Sequence, residues 1–235
     1  ITATGRYFPK RSEPNSYFYE KLGLDTNEEW IRTRTGIHER RVADVANGEC
    51  TAFMGAQAAQ ICLDRAGLTA DDLDGILVGT VTPDMTFPAA ACMVQAELGA
   101  SNAFGWDVSA ACSGYVFTLA QAYALVNSGM AKRIMVIGSE TMSSILDYTD
   151  RNSCIIFGDG AGATLVEAVE EGGGEILDFC MHTDGSGARF LRMPGGGAAM
   201  PASHQSIDDR QHFVKQDGRT VFKHAVTRIC EVIVE

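Results

Sequence analysis

An α/β fold is predicted by three features of the sequence. Short continuous apolar runs, residues 75–80 and 132–138, have the length and composition of strands buried on both faces. Longer segments between them, residues 51–66 and 114–126, repeat apolar side chains at helical spacing. The two types alternate along the chain, which is the pattern of a mostly parallel sheet covered by helices.

Taken in order, Thr26-Asn27-Glu28-Glu29 has the spacing of a capping box, so a short helix carrying Trp30 and Arg34 is expected with Thr26 as N-cap. The following Arg32-Thr33-Arg34-Thr35-Gly36 turns out of it. Guanidinium groups suit phosphate and an indole suits a flat base, but the same residues also read as a solvated arginine pair beside a core tryptophan. Residues 51–66 form the next helix, with Gly67-Leu68 as its C-terminal stop. Thr69-Ala70-Asp71-Asp72 caps a single turn before the strand at 75–80.

Pro88 suits the first turn of a helix over residues 89–98, closed by Gly99. Phe87 just before it serves either local packing or insertion into a partner's pocket. A strand at 104–108 then runs into Ser109-Ala110-Ala111-Cys112-Ser113, and the helix that follows is apolar nearly all round and so expected to be buried. Gly129 stops it before the strand at 132–138. Asp150-Arg151-Asn152 lies in a polar loop.

Gly158, Gly160 and Gly162 match a dinucleotide fingerprint loosely, and a tight turn between strands is the better account of them. Gly172-Gly173-Gly174 marks a break, giving domains 1–170 and 171–235, the second opening with a strand over 175–182. Residues 193–206 have no periodicity and read as a surface loop, and a last helix begins at Val221 and carries Lys223.

Composition narrows the function classes. The chain has 235 residues, 46% of them hydrophobic, enough for one large domain or two smaller ones. Seven cysteines with no C-x-x-C spacing argue against a disulfide framework and a four-cysteine zinc site, and for a reducing cytoplasm. No apolar run approaches the ~20 residues of a membrane span, and residues 1–11 lack a signal-peptide pattern. A net charge of −11 disfavours nonspecific nucleic-acid binding. The final helix has no stop signal, so the chain is expected to be cut at its C-terminal end.

One cysteine stands where a helix begins. There the unpaired N–H groups and the positive end of the helix dipole favour thiolate over thiol, and the thiolate is the nucleophile. The alternative is that Cys112 is a small core hydrophobe, as expected for Cys50, Cys62, Cys92, Cys154, Cys180 and Cys230.

The turn at Cys112, the segment from Asp25-Thr26 through Trp30 to Thr35-Gly36, Thr86-Phe87-Pro88, Thr149-Asp150-Arg151 and residues 156–163 together resemble the β-ketoacyl-acyl carrier protein synthase III family of the thiolase superfamily. The likeness runs in order to Lys223. It implies a five-layered α-β-α-β-α architecture of two similar halves, the second incomplete here, acting as a cytoplasmic homodimer that starts fatty acid synthesis.

The resemblance further implies that Cys112 takes an acyl group from acyl-coenzyme A, a substrate rather than a cofactor, and passes it to malonyl-acyl carrier protein with loss of carbon dioxide. Trp30 and Arg151 match the pair that sandwiches adenine, Arg34 a phosphate contact, and Thr26 the same rim. Phe87 and Phe157 match acyl-pocket residues, the first entering the other subunit, and Lys223 matches a carrier-protein docking residue. No metal is implied. The family's catalytic histidine and asparagine and its C-terminal glycine-rich loop fall beyond residue 235, and His38, His182, His204, His212 and His224 lie outside its motif. Residues 1–235 alone are therefore expected not to condense. The alternatives are a related condensing enzyme for long-chain or secondary-metabolite acyl groups, or a non-catalytic subunit that binds coenzyme A or carrier protein.

Overall fold

The computed structural model describes residues 1–169, 174 and 176–235. In chain order they form β1 (Ala3–Tyr7), β2 (Ser12–Pro14), α1 (Glu28–Thr35), β3 (Glu39–Arg41), α2 (Thr51–Ala66), β4 (Gly75–Gly79), α3 (Ala90–Leu98), β5 (Phe104–Val108), α4 (Gly114–Asn127), β6 (Arg133–Glu140), α5 (Arg151–Cys154), β7 (Gly160–Glu167), β8 (Leu191–Arg192), α6 (His204–Asp208), β9 (Lys215–Gln216) and α7 (Gly218–Val234). Two compact units share these elements: Ile1–Ser12, Arg41–Thr141 and Gly158–Phe179 in the first, Glu13–Arg40, Met142–Phe157 and Cys180–Glu235 in the second.

The first unit is built on a five-stranded sheet of order β1-β7-β6-β4-β5. β4 runs parallel to β5 and β6, whereas β7 is antiparallel to both β6 and β1. The glycine-rich segment read as a turn is instead the start of β7, with Gly160 opposite Glu140 and Gly162 opposite Gly138 and Arg6. Pairing, on both edges at Gly162 and on one at Gly160, overrides the low strand preference of glycine, because strand formation depends on neighbours more than on local propensity.

Strand alternation sorts the core into two layers. Ile76, Val78, Met135 and Ile137 face one side, where Met54, Ala58, Cys62 and Leu63 of α2 and Val94 of α3 pack. Leu77, Ile134 and Val136 face the other and meet Ala122 of α4. α2 spans the residues its periodicity predicts. It ends on left-handed Gly67, whose follower Leu68 donates to Leu63 O at 3.1 Å. α4 departs from expectation: Gly114, Thr118 and Ala122 are buried against the sheet, but Val116 is 46% exposed on the opposite side. One stripe meets the strands, and the described residues leave part of the outer apolar stripe uncovered.

In the second unit a smaller core gathers Phe18, Ile31, Leu146, Cys154 and Ile155. Arg40 lies within it, donating to Asn15 Oδ1 at 2.7 Å and Ile155 O at 2.6 Å with its guanidinium 4.7 Å from the Phe18 ring centre. Burial lowers its pKa, which the nearby ring and hydrogen bonds make tolerable. β8 and β9 pair antiparallel, and α7 starts at Gly218, earlier than expected, because Asp217 accepts the Thr220 N–H at 3.1 Å as its N-cap. The expected boundary glycines 172 and 173 and Glu175 lie outside the described residues. Residues 176–182 form no strand, and the predicted loop 193–206 ends inside α6.

Candidate active site

Cys112 sits between β5 and α4, in a single tight turn, Ala111–Ser113. Ala111 adopts the left-handed region at φ 46°, and Ser113 N donates to Ala110 O at 3.1 Å. A non-glycine residue held there costs about 1 kcal/mol, a strain that tends to mark functional turns. Cys112 lies just before α4 rather than inside it, and it is exposed rather than packed as a small core hydrophobe, so Sγ is open to an incoming electrophile.

The end of β4 braces the residues on either side of this turn. Thr80 N donates to Val108 O at 3.2 Å, and Thr118 Oγ1 donates to Gly114 O at 2.7 Å. Gly79 permits the approach: a Cβ there would lie 2.7 Å from the Gly114 carbonyl carbon. Beside them the Glu140 carboxylate accepts Val81 N at 2.9 Å, Thr80 Oγ1 at 3.2 Å and Thr82 Oγ1. Burial pushes its pKa up and these donors pull it back. Asp107, on β5, accepts Ala90 N at 2.7 Å and Ala91 N at 2.8 Å. Neither carboxylate was singled out from the sequence; a charged residue ending or interrupting an apolar strand was the available signal.

The second unit brings Trp30, Arg34 and Arg151 together. The guanidinium carbons of Arg34 and Arg151 lie 4.5 and 4.9 Å from the centre of the Trp30 ring system. Arg151 Nη1 also donates to Asp25 O. The N-cap of α1 is Asn27, whose Oδ1 accepts Trp30 N at 2.8 Å, rather than Thr26. Thr26 Oγ1 is buried and has no hydrogen-bond partner among the described residues. Phe157 is half-buried beside the core of this unit, Lys223 is exposed on α7, and Phe87, in the first unit, is 81% exposed.

Of the cysteines expected as fillers, Cys62 and Cys154 are buried, and burial raises both thiols, Cys154 to about 11. Cys50 is half-buried and also raised to about 11, while Cys92, Cys180 and Cys230 are exposed. Among the described residues, Cys180, His182 and Glu235 form a trio with metal-ligating groups, 2.8–3.3 Å apart. All three are exposed and hydrogen-bond one another.

The family model of 3-oxoacyl-[acyl-carrier-protein] synthase III matches residues 106–185, the stretch containing the Cys112 turn and Arg151. The chain is 47% identical to the β-ketoacyl-[acyl-carrier-protein] synthase III of Chlorobaculum tepidum, over 100% of this chain and 71% of the relative. It is 48% identical to the same-named protein of Solibacter usitatus, over 99% of this chain and 70% of that one. The crystal structure of the corresponding Thermus thermophilus protein superposes with a TM-score of 0.84 at 39% identity, covering 97% of this chain and 68% of that one. The chain thus spans about 70% of the length of its curated relatives.

Proposed function

Because the chain belongs to the β-ketoacyl-[acyl-carrier-protein] synthase III family, whose fold is the thiolase fold, we propose that Cys112 is the nucleophile of its acyl transfer. The function is condensation of an acyl group from acyl-coenzyme A with malonyl-acyl carrier protein, the step that starts fatty acid synthesis. The observation that carries the proposal for Cys112 is its exposed thiol in a turn held by left-handed Ala111 at the end of β5.

In the first half-reaction the Sγ thiolate adds to the thioester carbonyl. The carbon–sulfur bond to coenzyme A breaks, and the departing thiolate takes up a proton. In the second, malonyl-acyl carrier protein loses carbon dioxide and its carbanion attacks the acyl-Cys112 carbonyl. The Cys112 thiolate leaves again, and the product is a β-ketoacyl-acyl carrier protein.

Trp30, Arg34 and Arg151 are the proposed coenzyme A subsite, with Thr26 at its rim: Trp30 and Arg151 as the pair that takes the adenine and Arg34 as a cation for phosphate. Phe87 and Phe157 are proposed to shape the acyl pocket and Lys223 to dock the acidic carrier protein. Residues 1–170 are taken as the half that carries the nucleophile and 171–235 as part of the second.

A homodimer through β5 is part of the same reading. β5 is an edge strand, and its Phe104 and Trp106 stack with ring centres 5.6 Å apart while both remain exposed. With Val116 and Phe87 this gives the first unit exposed apolar side chains of the kind that mark interfaces. No helix among the described residues is long and apolar enough to cross a membrane, and the cysteine content supports placing the protein in the cytoplasm.

The test is acyl transfer from radiolabelled acetyl-coenzyme A, followed by intact mass and peptide mapping. Label is expected on Cys112 and is expected to disappear in Cys112→Ala. Label that persists in the variant, or never forms on the wild type, overturns the assignment.

A further inference from the structure

We propose that Asp107 is a positioning residue for acyl transfer, tying the turn that bears Cys112 to the loop that bears Phe87. The inference rests on the reading of Cys112 as the nucleophile. Asp107 lies on the strand that runs into that turn, at a position flanked by Trp106 and Val108. Its two carboxylate oxygens accept the first two N–H groups of α3, from Ala90 at 2.7 Å and Ala91 at 2.8 Å. The N-cap of α3 is Ala89, which has no side chain able to cap. The helix is therefore capped from β5, by a charge at the positive end of its dipole.

The connection from β4 to α3 is rooted at three carboxylates. Glu140 holds Val81 N and the hydroxyls of Thr80 and Thr82 at its start. Asp84 accepts Ala52 N at 2.9 Å in its middle. Asp107 holds its end. Between the last two anchors Met85, Thr86, Phe87 and Pro88 are exposed, so an apolar tip is presented on a fixed base. Of the three anchors, Asp107 alone sits on the strand leading to Cys112. A shift at residue 107 moves both the thiol and Phe87, which couples the placement of the nucleophile to the choice of acyl chain.

Asp107→Asn keeps the volume but offers one acceptor and turns an NH₂ group toward the second N–H. The control is Asp74→Ala: Asp74 Oδ2 accepts both Lys132 N at 2.6 Å and Arg133 N at 2.9 Å at the opposite end of the sheet, and the alanine removes both bonds. Single-turnover acylation of Cys112 is measured with acetyl- and longer-chain acyl-coenzyme A, at temperatures where circular dichroism shows each variant folded. In Asp107→Asn the rate is expected to fall roughly 10- to 100-fold, as for a displaced reacting group, with an altered ratio between donors. Asp74→Ala is expected to acylate like the wild type despite a comparable fall in melting temperature. Wild-type rates and donor ratio in Asp107→Asn, or an equal slowing in Asp74→Ala, overturn the proposal. If Asp107→Asn does not fold, Asp107→Glu carries the same test, because it keeps the charge and moves it by one methylene. A wild type that takes no label defeats the Cys112 reading instead, so the two failures are distinguishable.

Discussion

The guanidinium carbon of Arg34 lies 4.5 Å from the centre of the Trp30 ring system, one helical turn away on α1. Arg151 reaches the same ring at 4.9 Å from a distant part of the chain. In the proposed subsite Trp30 supplies the stacking surface for the base. Stacking on an aromatic side chain is worth about 1–3 kcal/mol per base. Trp30→Ala is accordingly expected to raise the acetyl-coenzyme A concentration giving half-maximal acylation of Cys112 by roughly 5- to 150-fold, while the acylation rate at saturation changes little. An unchanged half-saturating concentration in single-turnover labelling would remove Trp30 from the subsite.

The cysteines divide by accessibility. Brief treatment of the native protein with iodoacetamide at pH 7 is expected to modify Cys112, Cys92 and Cys230, all exposed. Cys62 and Cys154 are expected to remain unmodified: both are buried, burial raises the Cys62 thiol, and the Cys154 thiol near pKa 11 is about 10⁻⁴ thiolate at that pH. Peptide mass mapping reads the pattern directly.

Asp147 is buried and accepts from Arg210 Nε at 2.8 Å, from Arg210 Nη2, and from Thr149 N and Oγ1 at 2.9 and 2.6 Å. The Arg210 hydrogen bonds come first among the causes that hold its carboxyl well below the usual range. A depressed folded-state pKa stabilises fully above the ordinary aspartate value of about 3.9 and is lost as pH falls toward the folded value. Arg210 is nearly half exposed and its charge is screened, so about 1–2 kcal/mol is expected. Asp147→Asn should lower the denaturation midpoint at pH 7, and the gap from wild type should narrow below about pH 4. An equal gap at pH 3 and pH 7 would contradict this.

Gly79→Ala is expected to destabilise the protein by about 1–3 kcal/mol, the usual cost of overpacking. Its Cβ would meet the Gly114 carbonyl carbon at 2.7 Å and carbonyl oxygen at 2.9 Å, and backbone cannot swing aside as a side chain can. Because Gly114 opens α4 directly after Ser113, acylation of Cys112 should slow as well. Urea titration and single-turnover labelling check the two effects.

If β5 is the dimer edge, Trp106→Lys puts a charge on the exposed aromatic pair of that strand. Sedimentation velocity is expected to show a dimer for the wild type and a monomer, or a concentration-dependent mixture, for the variant. A wild type that sediments as a monomer at all concentrations would rule the interface out.

Much of this molecule is local, and what is local could be read from the sequence. α2 from Thr51 to Ala66, its Gly67 stop, the Thr69–Asp72 capping box and the strands β4 and β5 all follow from apolar period and short-range hydrogen bonding. So does the pairing of Trp30 with Arg34, four residues apart on one helix. The identity of Cys112 as the residue at the strand-to-helix turn was equally legible.

Tertiary structure decided the rest, because those features depend on residues that meet only after folding. Gly162 became strand because β1 and β6 supply partners on both sides, and Gly160 because Glu140 of β6 pairs with it. Arg151 joined Trp30 through the packing of the second unit, and the cap of α3 came from Asp107 on β5, although nothing around Ala89 in sequence provides one. The sequence by itself determined which thiol stands at the turn; the fold decided that it is exposed and which carboxylates hold the elements around it.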